Sequence, residues 1–228
     1  MEKKAKNINL KYILPLALLF MTIYLAADSV AYKMVILGSA LEPGPPFIFP
    51  LTYAISDIIA EVYGLSLAKK IIWMTLAFQL FYALAITAII NLPSPAFWHD
   101  EASYQVVFGH ILQFVLSGTL ATVLSSFTNI YIISKWKALM KGKYFWVRGL
   151  GSSAIGGLVL VGVITIFGYI PRIGLSHALT LFTSIYLLEF IYAVILVCPV
   201  WAICIIIKKH ENLDVYDKKI RFNPFRFD

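Results

Sequence analysis

The sequence is poor in charged residues and in cysteine, and each shortage excludes a class of protein. Charged residues make up 14% of its 228 residues and hydrophobic residues 60%, against about 25% and about 45–50% in a soluble domain. This composition argues against a soluble enzyme and, with so many aromatic side chains, against a disordered chain. The two cysteines, Cys198 and Cys204, share one apolar run without a second thiol pair, which excludes a disulfide framework. We therefore expect an integral membrane protein.

Motifs of hydrolytic and nucleotide-driven chemistry are also missing. The sequence contains no HExxH, no GxSxG and no phosphate-binding glycine loop. It therefore predicts no enzyme, no metal site and no cofactor.

Long apolar runs are what the sequence has in quantity. A helix needs about 20 mostly apolar residues to cross a hydrocarbon core of about 30 Å. These runs predict an all-α bundle of six transmembrane helices, forming one transmembrane domain over residues 1–228. Pro50 suits the first turn of a helix, so the second span could be broken there. The predicted spans are approximately 12–37, 47–66, 71–92, 111–134, 149–170 and 178–207.

The basic residues are distributed unevenly between the loops. Seventeen of the 19 lysines and arginines precede the first span, lie between spans two and three or between four and five, or follow the sixth span. Basic loops stay on the cytoplasmic side, so both termini are predicted to be cytoplasmic. This arrangement and contact with anionic lipid account for the net charge of +7, and nucleic acid is not expected as a partner.

The second span carries two carboxylates on one helical face. Asp57 and Glu61 are four residues apart, and Tyr53 extends the same stripe by one turn. A carboxylate at the bilayer centre costs about 2.5–3.5 kcal/mol on insertion scales, so each is a candidate functional residue. For Glu61 an alternative is open, in which it only reaches the inner headgroups near Lys69 and Lys70.

Three further charges fall inside predicted spans. Asp28 and Lys33 are five residues apart in the first span, about 140° around a helix, so we expect their partners on other spans. Glu189 lies near the middle of the sixth span with no basic residue close by on its own helix. It needs a partner or a proton, and the alternative to a functional role is a protonated structural side chain. Gly149, with Ser153 and Gly157, forms a small-residue face on the fifth span that predicts close helix packing or, alternatively, a cavity wall.

The segment from Phe49 to Gly64, which reads FPLTYAISDIIAEVYG, resembles the second span of the queuosine-precursor transporters, also called the vitamin uptake transporters. Ala31-Tyr32-Lys33, Pro93 to Trp98, and Arg148 with Gly151-Ser152 are similar to other parts of that family. The resemblance covers roughly residues 25–205. It implies a six-span importer of a small deazapurine in the bacterial inner membrane.

Two elements depart from the family pattern. Spans four and five of the family each carry Ser-Gln-x-x-Asp, where this chain has Ser125 to Asn129 and Gly156 to Leu160. The resemblance further implies a family lysine where Glu189 stands. Because the missing amides and carboxylates would hydrogen-bond a heterocycle, we expect this chain to recognise its solute differently.

Two main functions follow. The first is a secondary transporter that imports a small polar solute, with a single set of candidate substrate-binding or coupling residues: Asp57, Glu61, Tyr53, Glu189, Asn129, Lys33 and Asp28. The alternative is a substrate-binding membrane subunit of an energy-coupling-factor type vitamin importer, with an energising partner that could dock on the small pair Ala27 and Ala31. A homodimer is compatible with either function. A membrane-embedded enzyme or an interaction protein is a third possibility.

Overall fold

The structure is a computed structural model that describes residues 11–37, 40–217 and 223. In that part of the chain, α-helices form nearly all of the regular structure, and two short antiparallel strands, β1 (Met34–Leu37) and β2 (Ala40–Pro43), form a hairpin. The helices are α1 (Ile13–Ser29), α2 (Pro50–Tyr63), α3 (Leu65–Ile90), α4 (Glu101–Phe108), α5 (Ile111–Leu139), α6 (Phe145–Ile164) and α7 (Ile170–Glu211).

Four stretches of helix are long and apolar enough to cross a membrane. They are Leu65–Ile90, Glu101–Leu139, Phe145–Phe167 and Gly174–Glu211. Helix α1 is apolar but has only 17 residues, and α2, with 14 residues, rises about 21 Å, less than the hydrocarbon thickness. The chain is therefore an all-α membrane protein apart from the hairpin, while the count of six spans stays a prediction.

The first predicted span, 12–37, is wrong in its last third. Helix α1 ends at Ser29, and the following residues pair as the β1–β2 hairpin, with Val35 opposite Glu42 and Ile36 opposite Leu41. The β-branched residues Val35 and Ile36 favour a strand. Lys33 therefore lies outside any helix and is exposed, so the prediction that it lies within a span is wrong.

Helix α2 occupies the centre of the bundle. One 3₁₀ turn, Pro45–Phe47, precedes it, and the helix begins at Pro50, where the fixed φ of proline suits the first turn. It ends at Tyr63, and the next residue, Gly64, has a φ of +89°, which is accessible to glycine but strained for other residues. Almost every residue of α2 is buried, and this burial places its polar residues inside the protein.

Helices α5 and α6 pack closely through the small residues of α6. A Cβ atom added at Gly156 would lie 3.1 Å from the Cβ atom of Asn129 and 3.4 Å from the carbonyl oxygen of Ser125. Such short separations are possible because glycine lets two helix backbones approach. Beyond α6 a π-helical turn, Thr165–Tyr169, leads into α7, which is interrupted at Gly174 with a φ of +76°.

Candidate functional site

Tyr53, Asp57 and Glu61 form a buried column along α2. Their exposed fractions are 4%, 3% and 2%, and their four-residue spacing puts them on one face of the helix. The column faces different neighbours at its two ends, so its two carboxylates have different bonding partners.

Asp57 is held by neutral hydrogen-bond donors. Its Oδ1 accepts a bond of 2.7 Å from Asn129 Nδ2, and its Oδ2 accepts one of 3.4 Å from Ser153 Oγ. The same Asn129 amide donates to Ser56 Oγ at 3.2 Å. The hydroxyl of Tyr53 bonds with Ser125 Oγ one turn away. In the described part of the chain no ion pair forms on Asp57, so its carboxylate depends on helices α5 and α6 for its bonds.

Glu61 lies in a buried ion cluster. Arg148, which is fully buried, donates through Nη1 to Glu61 Oε2 and through Nη2 to Oε1 at 3.2 Å. Lys208 donates to Oε1 at 2.6 Å, and Lys137 lies 4.0 Å from the same oxygen. The alternative in which Glu61 only reaches the headgroups near Lys69 and Lys70 does not agree with this geometry.

The segment 213–217, named here the C-terminal strap, covers the ion cluster. Asp214 accepts bonds from Lys137 at 2.5 Å and from Lys208 at 3.0 Å. Asp217 accepts a bond of 3.0 Å from the backbone nitrogen of Leu65, at the start of α3. Partial burial alone would raise the pKa of Asp214. The bonds from both lysines lower this pKa by a larger amount, so it lies below its ordinary value. The strap thus ties together the ends of α3, α5 and α7.

The opposite end of the bundle contains a cavity of about 480 Å³, named here the outer cavity. Its wall includes Asp28, whose two carboxylate oxygens accept bonds of 3.0 and 2.8 Å from Gln79 Nε2 on α3. This pairing agrees with the expectation that Asp28 finds its partner on another span. Gln113 adds a second amide to the wall. Four aromatic side chains also line it: Tyr24, Tyr32, Phe49 and Phe114.

Glu189 lies between the outer cavity and a much smaller space. That space, of about 20 Å³, is also lined by Tyr53, Asp57 and Ser153, and its size suits one water molecule. Glu189 is 6% exposed, and its Oε2 has no hydrogen-bond partner among the described residues. The carboxylate therefore connects the surroundings of Asp57 with the outer cavity.

The two adjacent glycines of α6 provide a matched test of this geometry. We expect Gly156→Ala to destabilise the protein by about 1–2 kcal/mol, since overpacking costs about 1–3 kcal/mol and the helix preference of alanine offsets about 0.5–1 kcal/mol. A Cβ atom at Gly157 would lie 2.5 Å from Glu189 Oε2, the mobile end of a side chain. Gly157→Ala is therefore expected to change the stability by less than about 1 kcal/mol. Urea unfolding in mixed micelles measures both, and equal losses would contradict this packing.

The structure distributes six of the seven predicted site residues over three places: the surroundings of Asp57, the outer cavity and the ion cluster. Tyr53, Asp57 and Asn129 lie together, and Glu189 joins their space to the outer cavity, where Asp28 lies. Glu61 belongs to the separate ion cluster. Lys33 is exposed and lies at none of these places.

Several polar residues of the site were not found from the sequence. Gln79 and Gln113 are amides inside apolar runs, and that alone was a signal, because a polar group in a span needs a partner. Arg148, Lys137 and Lys208 lie at the ends of spans, where their charge indicated only topology. Among the described residues, no group of three or more histidine, cysteine, aspartate or glutamate side chains could hold a metal ion.

Comparison with known proteins identifies the family. A family model described as "Putative vitamin uptake transporter" matches residues 43–204, which include α2, the ion-cluster residues Glu61, Lys137 and Arg148, and Glu189. Searches of curated proteins and of solved structures gave no match. The matched segment covers more than half of the sequence and agrees with a multi-pass helical structure. The chain belongs to the vitamin uptake transporter family, whose members are described as membrane transporters and not as enzymes.

Proposed function

We propose that this protein is a secondary transporter of the bacterial inner membrane that imports a small polar solute, by resemblance a deazapurine precursor of queuosine. The observation that carries the proposal is the outer cavity. Its volume of about 480 Å³ is within the range of about 300–1,000 Å³ for small-molecule sites, and such sites combine apolar walls with a few placed polar groups.

The wall of the outer cavity is chemically suited to a planar heterocycle. Aromatic rings on several sides, including the edge-to-face pair Tyr24 and Phe49 with centroids 5.2 Å apart, offer stacking surfaces. The amides of Gln79 and Gln113 can hydrogen-bond heterocycle edges. These amides lie on α3 and on the first turn of α5, so they supply from other positions the type of group that the chain lacks in its departures from the family pattern.

We also propose that both termini are cytoplasmic and that the outer cavity faces the other side. The backbone nitrogen of Tyr12 donates a hydrogen bond of 2.9 Å to Glu211 Oε1. The start of α1 therefore lies beside the end of α7, near the ion cluster. In a background with Cys198→Ser and Cys204→Ser, Phe97→Cys should react with an impermeant thiol reagent added to intact cells, and Lys141→Cys should not. Both positions are exposed, so the reagent can reach each of them when it is on the same side of the membrane. Labelling at position 141 without labelling at position 97 would show that the orientation in the membrane is the reverse of the proposed one.

The function is tested by complementation. A bacterial host that cannot make queuosine precursors and lacks its own importer is given this chain, and queuosine in its tRNA is measured after a precursor is added to the medium. We expect the modification to be restored. An unmodified tRNA pool, with the protein present at normal amounts in the membrane fraction, would exclude the deazapurine substrate.

The alternative function, a substrate-binding subunit with an energising partner, is distinguished by reconstitution. Purified protein alone in sealed liposomes should take up the solute if it is a secondary transporter, whereas a binding subunit would bind it without uptake. The small pair Ala27 and Ala31 does not favour the alternative. Ala27 and Ala31 are buried and line the outer cavity, so they are not free to dock a partner helix.

A further inference from the structure

The charge of the outer cavity is unbalanced. Asp28 and Glu189 both line it, and no lysine, arginine or histidine occurs among the described residues of its wall. The basic side chains that enter the bundle at its other end are already bonded there, since Arg148, Lys137 and Lys208 hold Glu61 and Asp214. The cavity thus presents two buried carboxylates without a cation of the protein.

Asp28 is arranged as a hydrogen-bond acceptor. Gln79 Nε2 donates to both of its oxygens, at 3.0 and 2.8 Å, and an amide that bridges both oxygens fixes the plane of the carboxylate. An ionised carboxylate offers about four acceptor positions. Those not used by Gln79 remain for a donor in the cavity.

Glu189 is an independent indication of a ligand. Its side chain is 6% exposed, and its Oε2 has no partner among the described residues. A buried acceptor without a partner is unfavourable by about 1–3 kcal/mol, more when it is charged. Oε2 lies against Gly157 of α6, and Glu189 also lines the outer cavity, so rotation of the carboxylate towards the cavity would let a donor there remove this cost. A positively charged donor would also compensate the carboxylate.

The apolar part of the wall also suits a cation. The rings of Tyr32 and Phe114 lie edge to face with centroids 6.0 Å apart, and Tyr24 and Phe49 form the second aromatic pair. Ring faces attract ammonium groups by about 0.5–2 kcal/mol. A small cationic solute with an apolar body matches both the aromatic and the acidic parts of the wall.

We propose that the outer cavity binds solutes that carry a protonated primary amine, with the ammonium group paired with the carboxylates of Asp28 and Glu189. This chain is then selective for an organic cation over a neutral solute of the same shape. The inference rests on the proposed function only in taking the outer cavity as the solute site.

Matched probes test the inference on the purified full-length protein. The first pair is a 7-deazaguanine with an aminomethyl group and the same base with a nitrile in its place; the second pair is benzylamine and benzyl alcohol. Equilibrium binding is measured for each by calorimetry. We expect each amine to bind at least about tenfold more tightly than its neutral counterpart, since hydrogen bonds to charged groups contribute about 1.5–3 kcal/mol.

Two variants locate the effect. Asp28→Asn and Glu189→Gln should each weaken amine binding by about tenfold to a hundredfold, with little change for the neutral probes. The matched control is Glu101→Gln, which removes a carboxylate that is exposed and does not line the outer cavity. It should bind all four probes as the unmodified protein does. The unfolding midpoint of each variant shows whether it is folded.

The outcomes separate this inference from the proposed function. Equal or tighter binding of the neutral probes overturns the amine inference, as does unchanged amine affinity in both variants or no saturable binding of any probe at millimolar concentration. Binding of the nitrile base without the amines would support a deazapurine transporter and overturn this inference. Binding of benzylamine without either deazapurine would support this inference and exclude the deazapurine substrate.

Discussion

Glu61→Gln is expected to destabilise the protein by about 3–5 kcal/mol, the usual cost of breaking a buried ion pair by removing one partner. The carboxylate receives bonds from Arg148 and Lys208, with Lys137 4.0 Å away. Without its charge, Lys137 and Lys208 would share the partly exposed Asp214. Among the described residues, Arg148 would keep only its bonds to the backbone carbonyls of Lys143 and Gly142. Urea unfolding in mixed micelles measures the change, and the exposed Glu101→Gln is its control.

A double-mutant cycle shows whether the loss arises from the cluster. Arg148→Met alone should also destabilise the protein, because Glu61 loses two hydrogen bonds. The combination of Glu61→Gln with Arg148→Met should lose less than the sum of the two single variants, since both charges of the pair are then removed. Additive losses, or a loss below about 1 kcal/mol for Glu61→Gln, would contradict a stabilising role.

Asp57→Asn is expected to lower the initial uptake rate by about tenfold to a hundredfold while the protein stays folded. An asparagine cannot carry the charge or the proton of the carboxylate, and a hydrogen bond to a charged group contributes about 1.5–3 kcal/mol. Stability should be retained because the partners of Asp57, Asn129 and Ser153, are neutral and removing a buried charge removes its desolvation cost. Uptake into liposomes and unfolding in micelles are measured on the same preparation.

The two substitutions should thus have different effects although Asp57 and Glu61 share one face of α2. Glu61→Gln should lower stability, whereas Asp57→Asn should lower uptake and leave stability unchanged. The control for uptake is Ser153→Ala, which removes only the 3.4 Å bond to Asp57 and should keep most of the rate. Unchanged uptake in Asp57→Asn would mean that the α2 column is structural and would remove it from the transport mechanism.

The buried column could be predicted because it depends on one short helix. Four-residue spacing places Tyr53, Asp57 and Glu61 on one face whatever surrounds the helix. Lys33 was misplaced because the apolar residues that follow it continue the hydropathy of α1, and a short apolar run does not distinguish helix from strand. The pairing of β1 with β2 makes this run a strand, and hydropathy contains no information about strand pairing.

The partners of the carboxylates could not be predicted because they are distant in the chain. Glu61 meets Arg148 across 87 residues and Lys208 across 147, and Asp28 meets Gln79 across 51. Basic residues at span ends fit the rule for topology equally well whether or not they form ion pairs. Such long-range pairs depend on how the helices pack, which one sequence does not specify.

The assembly of the ion cluster has a consequence for biosynthesis. Glu61 on α2 leaves the ribosome 147 residues before Lys208, an interval of about 7–30 s at about 5–20 residues per second. The strap that covers both is synthesised later still. The two carboxylates of α2 therefore lack their partners until α5 and α6 have been translated, and the cluster around Glu61 is completed only with α7 and the strap. A chain that stalls before Lys208 would present an incomplete bundle to membrane proteases.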